Sequence, residues 1–241
     1  FKNTKERYRN MVSILTLTYQ RHHLLEEAIQ SYLLQLKGFE NTTEMVIIND
    51  SPEVKYVFDH PNIRIINHPT RFSSIGKKLE WGFQQCTTPW IYRLDDDDLL
   101  SPHALEINKI YRTNYPEKDI LRDQNHYYFL NNEFQGLGDS INNGNCYSKN
   151  YINRVGSFVD RSGDEDNWLT FHNGADIHIG DLGRYTMIYR WGMSTYHISG
   201  MGLRPSQEIF EITDKSNTEN GIIKLNPKFN SNYWEQLDSV V

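Results

Sequence analysis

Trp90-Ile91-Tyr92-Arg93-Leu94-Asp95-Asp96-Asp97-Asp98 is the stretch on which the fold of this chain turns. Apolar and aromatic residues around one arginine read as a short buried strand. Four adjacent carboxylates follow at once. At a strand end they repel one another unless a cation or several donors sit among them. Ser101-Pro102 then opens a helix, since serine is a good N-cap and proline is tolerated at the first helical position. The acidic run therefore falls in a strand-to-helix loop at the carboxyl end of a strand. Open α/β sheets bind their ligands at that edge. A bare run of aspartates is usually a solvated turn. The buried strand before it and the capped helix behind it favour a site for a hard cation, Mg2+ or Mn2+.

Working outward from this loop, Met11 to Leu17 is a mostly apolar run, suited to a strand covered on both faces. Leu25, Ala28, Ile29, Tyr32, Leu33 and Leu36 repeat at helical spacing, and Gly38 ends that helix. Met45 to Ile48 is a second strand ending in Asn49-Asp50-Ser51-Pro52, and Ile63 to Ile66 a third. Ser73 and Ser74 cap a helix carrying Ile75, Leu79, Phe83 and Cys86 on one face. This β-α-β-β-α-β order predicts one α/β domain with a largely parallel sheet and helices on both sides. Beyond the acidic loop the pattern is less regular. Ala104, Ile107 and Tyr111 mark a helix, and Ile120 to Asp123 and Tyr127 to Leu130 read as strands. A polar loop from Asn131 to Asn145 follows, then short helices near Asn150–Val155 and Asn167–His172. Strands are expected at Tyr185–Tyr189 and Ser194–Ile198, and a polar arm or lid after Pro205.

The chain has 241 residues and a net charge of -6, which disfavours nucleic acid or an anionic membrane as its main partner. Two cysteines, Cys86 and Cys146, make no disulfide framework. No apolar run is long enough to span a bilayer and no signal peptide is visible, so the expected location is cytoplasmic, with peripheral membrane attachment left open. The chain starts at Phe1 rather than Met, which leaves room for a longer protein.

The order of these motifs resembles the family-two glycosyltransferases with the GT-A fold. Their Thr-Tyr-Asn-Arg type turn after the first strand is here Thr18-Tyr19-Gln20-Arg21. Their Asp-Asp-Gly-Ser at the end of the second strand is Asn49-Asp50-Ser51-Pro52. Their Gly-x-x-x-Arg-Asn-x-Gly type helix is Ile75 to Gly82, with both glycines kept and Leu79-Glu80 where Arg-Asn is common. The metal motif Asp-x-Asp-Asp-x-x-x-Pro is complete in Asp95, Asp97, Asp98 and Pro102. The later Val-Gly-Gly-Phe and Glu-Asp-Trp elements appear as Val155-Gly156-Ser157-Phe158 and Glu165-Asp166-Asn167-Trp168. The resemblance runs over roughly residues 11 to 200.

That resemblance implies a single GT-A catalytic domain over 1–241. About 11–123 would bind a nucleotide sugar, about 124–204 would form an irregular acceptor side, and 205–241 would be an arm or lid. It implies a metal-dependent hexosyltransferase acting from a nucleoside-diphosphate sugar, a UDP-sugar first, onto a carbohydrate or other hydroxyl with inversion. Asp50 would accept a hydrogen bond from the base. Thr18, Tyr19, Gln20 and Arg21 would line the base and ribose, Arg71 and Lys78 would meet the diphosphate, and Asp95 and Asp96 would lie beside the donor. Asp97, then Asp95, with His197 late in the chain, would hold Mn2+ or Mg2+, and Arg204 would close over the diphosphate. Asp166 would be the base, with Glu165 as the alternative, and Trp168 would floor the acceptor site.

Each of these has an ordinary competitor. Asp50 before Pro52 suits an Asx turn, acidic residues at 164–166 suit a helix N-terminus, and a lone histidine or tryptophan is more often structural. Two rival functions remain. A sugar-1-phosphate nucleotidyltransferase opens with a glycine-rich basic loop, and Thr18 to His23 contains no glycine. A non-catalytic carbohydrate-binding module with a degenerate site conflicts with the complete aspartate motif.

Overall fold

A computed structural model describes residues 8, 10–139, 141–192 and 221–238. The central sheet has seven strands in the order β11-β7-β10-β5-β1-β2-β4. They are β1 (Val12–Thr18), β2 (Thr43–Asn49), β4 (Ile63–Asn67), β5 (Trp90–Arg93), β7 (Ile120–Asp123), β10 (Cys146–Ser148) and β11 (Ile177–Gly180). All run parallel except β10, which is antiparallel to both its neighbours. The seven residues of β1 are all buried, as a strand covered on both faces must be.

Alternation along β1 sends Val12 and Ile14 to one face and Leu15 and Leu17 to the other. The first face is covered by α1 (His22–Leu33), through Leu25, Ala28, Ile29 and Tyr32, and by α3 (Ala104–Asn114), through Leu105, Ile107 and Tyr111. The second is covered by α2 (Ile75–Gln85), α4 (Lys149–Val155) and α5 (Glu165–Phe171), through Leu79, Phe83, Tyr151, Ile152 and Leu169. Ser74 caps α2, its side chain accepting from the Lys77 N–H at 3.2 Å. The two glycines of α2 have steric reasons. A Cβ on Gly76 would meet the Val159 carbonyl oxygen at 2.1 Å, and one on Gly82 would press the Leu15 side chain at 3.1 Å. Leu79 is buried in the core, which accounts for an apolar residue at that position.

A second sheet, β6-β12-β8-β9, stands beside the first. It comprises β6 (Leu99–Leu100), β8 (Asn125–Leu130), β9 (Glu133–Asp139) and β12 (Met187–Trp191). Two expectations change here. The polar stretch expected to be a loop forms β9, paired antiparallel with β8 through Asn131 and Asn132 at φ 49° and 69°. Two successive left-handed residues make the tight turn whose twist suits a hairpin, and asparagine tolerates that region. The helix expected to start at Ser101-Pro102 begins instead at Ala104, with His103 at its N-cap. Leu99–Leu100 pair with β12, and the Ser101 hydroxyl donates to the Tyr185 carbonyl, so Ser101 belongs to the connection.

The C-terminal residues within the described range are tied to the body. Strand β13 (Ile222–Lys224) lies parallel to β3 (Lys55–Val57), and α6 (Tyr233–Leu237) packs Tyr233 and Leu237 against Phe129 and Ile188. Among the described residues no helix is long and apolar enough to cross a membrane.

Candidate active site

Strands β1, β2 and β5 are parallel neighbours, so the segments after Thr18, Asn49 and Arg93 leave the sheet at one edge. The acidic loop sits there, held by three arginines. Arg21 donates from Nε to Asp96 at 3.2 Å and from Nη1 to Asp97 at 2.9 Å, with Nη2 also on Asp96. Arg190 donates from its backbone N–H to Asp98 at 2.9 Å and from Nε to the Asp97 carbonyl at 2.7 Å, and Nη1 pairs with Glu27. Arg93 donates from Nε to Asp95 at 3.1 Å. Asn143 completes the cradle, donating to the Asp98 carboxylate and accepting from the Asp95 N–H. The crowding of four carboxylates is thus offset by cations and N–H donors built into the fold.

Burial pushes the Asp96 carboxyl up while Arg21 pulls it back. Burial and Asp97 push Asp98 up well above the ordinary carboxylate value. Burial works to lower the Arg21 guanidinium, and the three neighbouring aspartates hold it above its usual value. Arg21, a donor-side candidate, thus pairs with the acidic loop while its side chain stays 23% exposed, and Asp96 is fully buried against it.

Oxygens of Asp95, Asp97 and Asp98 lie within 4.8 Å of one another. Oxygens on one divalent ion, each about 2.0–2.6 Å from it, span no more than about 5 Å, so this donor set fits Mg2+ or Mn2+. Both oxygens of Asp98 accept hydrogen bonds, from Asn143 and Arg190, and both oxygens of Asp95 accept from Arg93.

At the next loop Asp50 is 3% exposed. Its Oδ1 accepts from Lys78 Nζ at 2.6 Å and its Oδ2 from the Phe72 N–H at 3.1 Å. The Asx turn belongs to Asn49 instead, whose Oδ1 accepts from the Ser51 N–H at 3.1 Å. Lys78 also donates to the Thr18 carbonyl at 2.6 Å. Lys78, a candidate for the diphosphate, is thus buried and engaged with Asp50 and Thr18. Burial lowers its ammonium below the ordinary value, and Asp50 pulls it back up. The Arg71 guanidinium lies 3.5 Å from the centre of the Tyr19 ring, so those two donor candidates meet. Gln20 sits at φ 54° with its amide 3.4 Å from the Ser51 hydroxyl.

From the far side, α5 brings the second acidic cluster to Arg93. Arg93 Nη2 donates to Glu165 at 3.2 Å, and Nη1 lies 3.9 Å from Asp166 Oδ2. Glu165 is buried and also accepts from the Gly163 N–H at 2.8 Å, whereas Asp166 is partly exposed. Trp168 packs against Phe158, ring centres 5.9 Å apart, and lies partly buried against the second core cluster. His197 and Arg204 lie outside the described residues.

Arg93, Asn143 and Arg190 hold the site and are not among the residues the sequence singles out. Arg93 carried one signal, a charge inside an otherwise apolar strand. Asn143 and Arg190 carried none, because their partners are distant in the chain.

A mostly parallel α/β sheet with an acidic loop and a facing carboxylate pair at its carboxyl edge defines a domain of the GT-A fold class. Residues 13–110 match the model of Glycosyl transferase family 2, and the fold is of the GT-A type. Among solved structures it is similar to S. aureus TarS 1-349, at 13% identity and a TM-score of 0.58, covering 75% of this chain and 60% of that one. TarS 1-349 in complex with UDP-GlcNAc gives 14% identity and 0.60, covering 76% and 59%. The mannosyltransferase PcManGT from Pyrobaculum calidifontis, in complex with GDP-Man and Mn2+, gives 14% and 0.54, covering 74% and 56%. At these identities the likeness is one of fold, and the chain spans less than two thirds of each relative's length. No curated protein matches the sequence.

Proposed function

We propose that this chain transfers a sugar from a nucleoside-diphosphate sugar to an acceptor hydroxyl, with inversion. The observation that carries this reading is the meeting of the two acidic clusters, through three carboxylates, on one guanidinium. Arg93 reaches Asp95 at 3.1 Å, Glu165 at 3.2 Å and Asp166 at 3.9 Å. The donor edge of the sheet and the candidate base thus face one another. Asp97 and Asp95 would hold Mg2+ or Mn2+, which when bound supplies a Lewis acid against the charge of the leaving diphosphate.

The protein's own groups do the rest. Each Asp50 oxygen already accepts one donor, from Lys78 or Phe72. A carboxylate so occupied suits a base with a single N–H between two carbonyls, as in uracil, better than the paired N–H groups of guanine. A UDP-sugar is therefore the first donor to try, and the UDP-GlcNAc bound by a TarS relative agrees with that choice. Asp166, partly exposed beside buried Glu165, takes the proton from the acceptor hydroxyl on the side opposite the leaving group. Glu165, tied to Arg93 and Gly163, holds the helix end in place.

A thermal-shift panel of UDP, GDP, CDP and dTDP sugars with and without Mn2+ tests the donor, because bound ligand stabilises the native state. Stabilisation by UDP-sugars that needs Mn2+ is the expected result. No shift with any of them sinks the reading.

A further inference from the structure

We propose that Arg93 is a positioning residue, the side chain that sets Asp166 in place against the acidic loop. The inference rests on the transferase reading above and deepens it. Arg93 ends β5 with 5% of its surface exposed, on the face of the sheet covered by α5. Its fork is held on two sides. Nε donates to Asp95 at 3.1 Å, and Nη2 donates to Glu165 at 3.2 Å and to Asp95 at 3.4 Å. The third nitrogen, Nη1, is buried without a hydrogen-bond acceptor and lies 3.9 Å from Asp166 Oδ2.

A guanidinium is planar and rigid, so fixing two of its nitrogens fixes the direction of the third. Asp95 and Glu165 therefore aim Nη1 at Asp166. The other oxygen of Asp166 accepts from the Asn167 N–H at 2.8 Å. One carboxylate is thus held from its own helix and from the metal-side loop, and its plane is set by both. A small approach of Asp166 would give the orphan donor its acceptor, which is the native tendency of a buried N–H. Glu165 serves this arrangement by anchoring the fork. A lysine in place of Arg93 keeps the charge but loses the three-way geometry.

The test is a double-mutant cycle of Arg93→Lys and Asp166→Asn on nucleoside-diphosphate release. The probes are UDP-glucose, UDP-GlcNAc, UDP-galactose and GDP-mannose with Mn2+, water standing in for the acceptor. Arg93→Lys should lower kcat about 10- to 100-fold by misplacing the base, with donor KM changed less than about threefold. The double variant should be no slower than Asp166→Asn alone, because a positioning residue has nothing left to position. A wild-type kcat in Arg93→Lys overturns the proposal, as does a double variant slowed by the product of the single effects. So does Asp166→Asn with undiminished kcat. If Arg93→Lys fails to fold by circular dichroism, Glu165→Gln takes its place in the cycle. It should slow release at least about fivefold and be non-additive with Asp166→Asn, and a wild-type kcat there counts against the proposal. A wild type that releases nucleotide from none of the four donors overturns the transferase reading itself, and this proposal falls with it.

Discussion

Lys78 Nζ lies 2.6 Å from Asp50 Oδ1, both side chains are buried, and the same ammonium donates to the Thr18 carbonyl. One side chain from α2 thus ties together the carboxyl ends of β1 and β2. The pair lies where the proposed donor would set its base. Removing either partner leaves a buried charge without its counterion, so a test of ligand binding there must keep the polar shape.

Asp50→Asn does so. The amide oxygen still accepts from Lys78, while the charge is lost and one acceptor becomes an N–H donor. UDP affinity measured by calorimetry should weaken by about 1.5–3 kcal/mol, the worth of a charge-assisted hydrogen bond. An unchanged affinity would return Asp50 to a purely structural role.

Asp97→Ala removes a carboxylate that converges with Asp95 and Asp98, and leaves Arg21 paired with Asp96. The protein should fold, and the rise in melting temperature that Mn2+ confers in the presence of UDP should vanish. A variant still stabilised by Mn2+ as the wild type is would move the cation elsewhere.

Glu27→Ala breaks a buried pair with Arg190, the residue that holds both Asp97 and Asp98 by hydrogen bonds and also reaches Tyr233 of α6 at 3.2 Å. Leaving Arg190 without that partner should cost about 3–5 kcal/mol in urea unfolding. A loss below about 1 kcal/mol, the range of an exposed pair, would contradict the burial.

His126 supplies a pH dependence. Burial lowers its imidazole from 6.5 to about 4, with Asp139 pulling the other way. The unfolded chain therefore takes up the proton first as pH falls. This contribution leaves stability untouched above about pH 6.5, erodes it as pH falls toward 4, and costs at most ~3 kcal/mol below that. His126→Phe should be less sensitive than the wild type between pH 7 and pH 4.5 in urea unfolding. Parallel losses in the two proteins would show that His126 is not a source of the acid sensitivity.

The central fold was legible in the chain because its determinants are local. Strands β1, β2, β4 and β5 are apolar runs, α1 and α2 are apolar stripes at helical spacing, and Ser74 is an N-cap beside its helix. The acidic loop was legible for the same reason, as four neighbours at a strand end. The second half was harder, since β9 is a polar strand stabilised by its pairing with β8, and Leu99–Leu100 is a strand only because β12 lies alongside.

What the sequence determined by itself was an α/β sheet with an acidic turn at its carboxyl edge, and the candidates for the chemistry. Which candidates meet, and which are spent on holding the fold, was decided only by tertiary structure. Arg21 and Asp96 neutralise each other, Lys78 is buried on Asp50, Trp168 packs partly buried against Phe158, and Arg93 reaches Glu165 across 72 positions of chain. The reason is electrostatic. A charged side chain in water needs no partner, so its identity says little, whereas burial forces it to find one. That partner is set by which loops share the sheet edge, and not by distance along the chain.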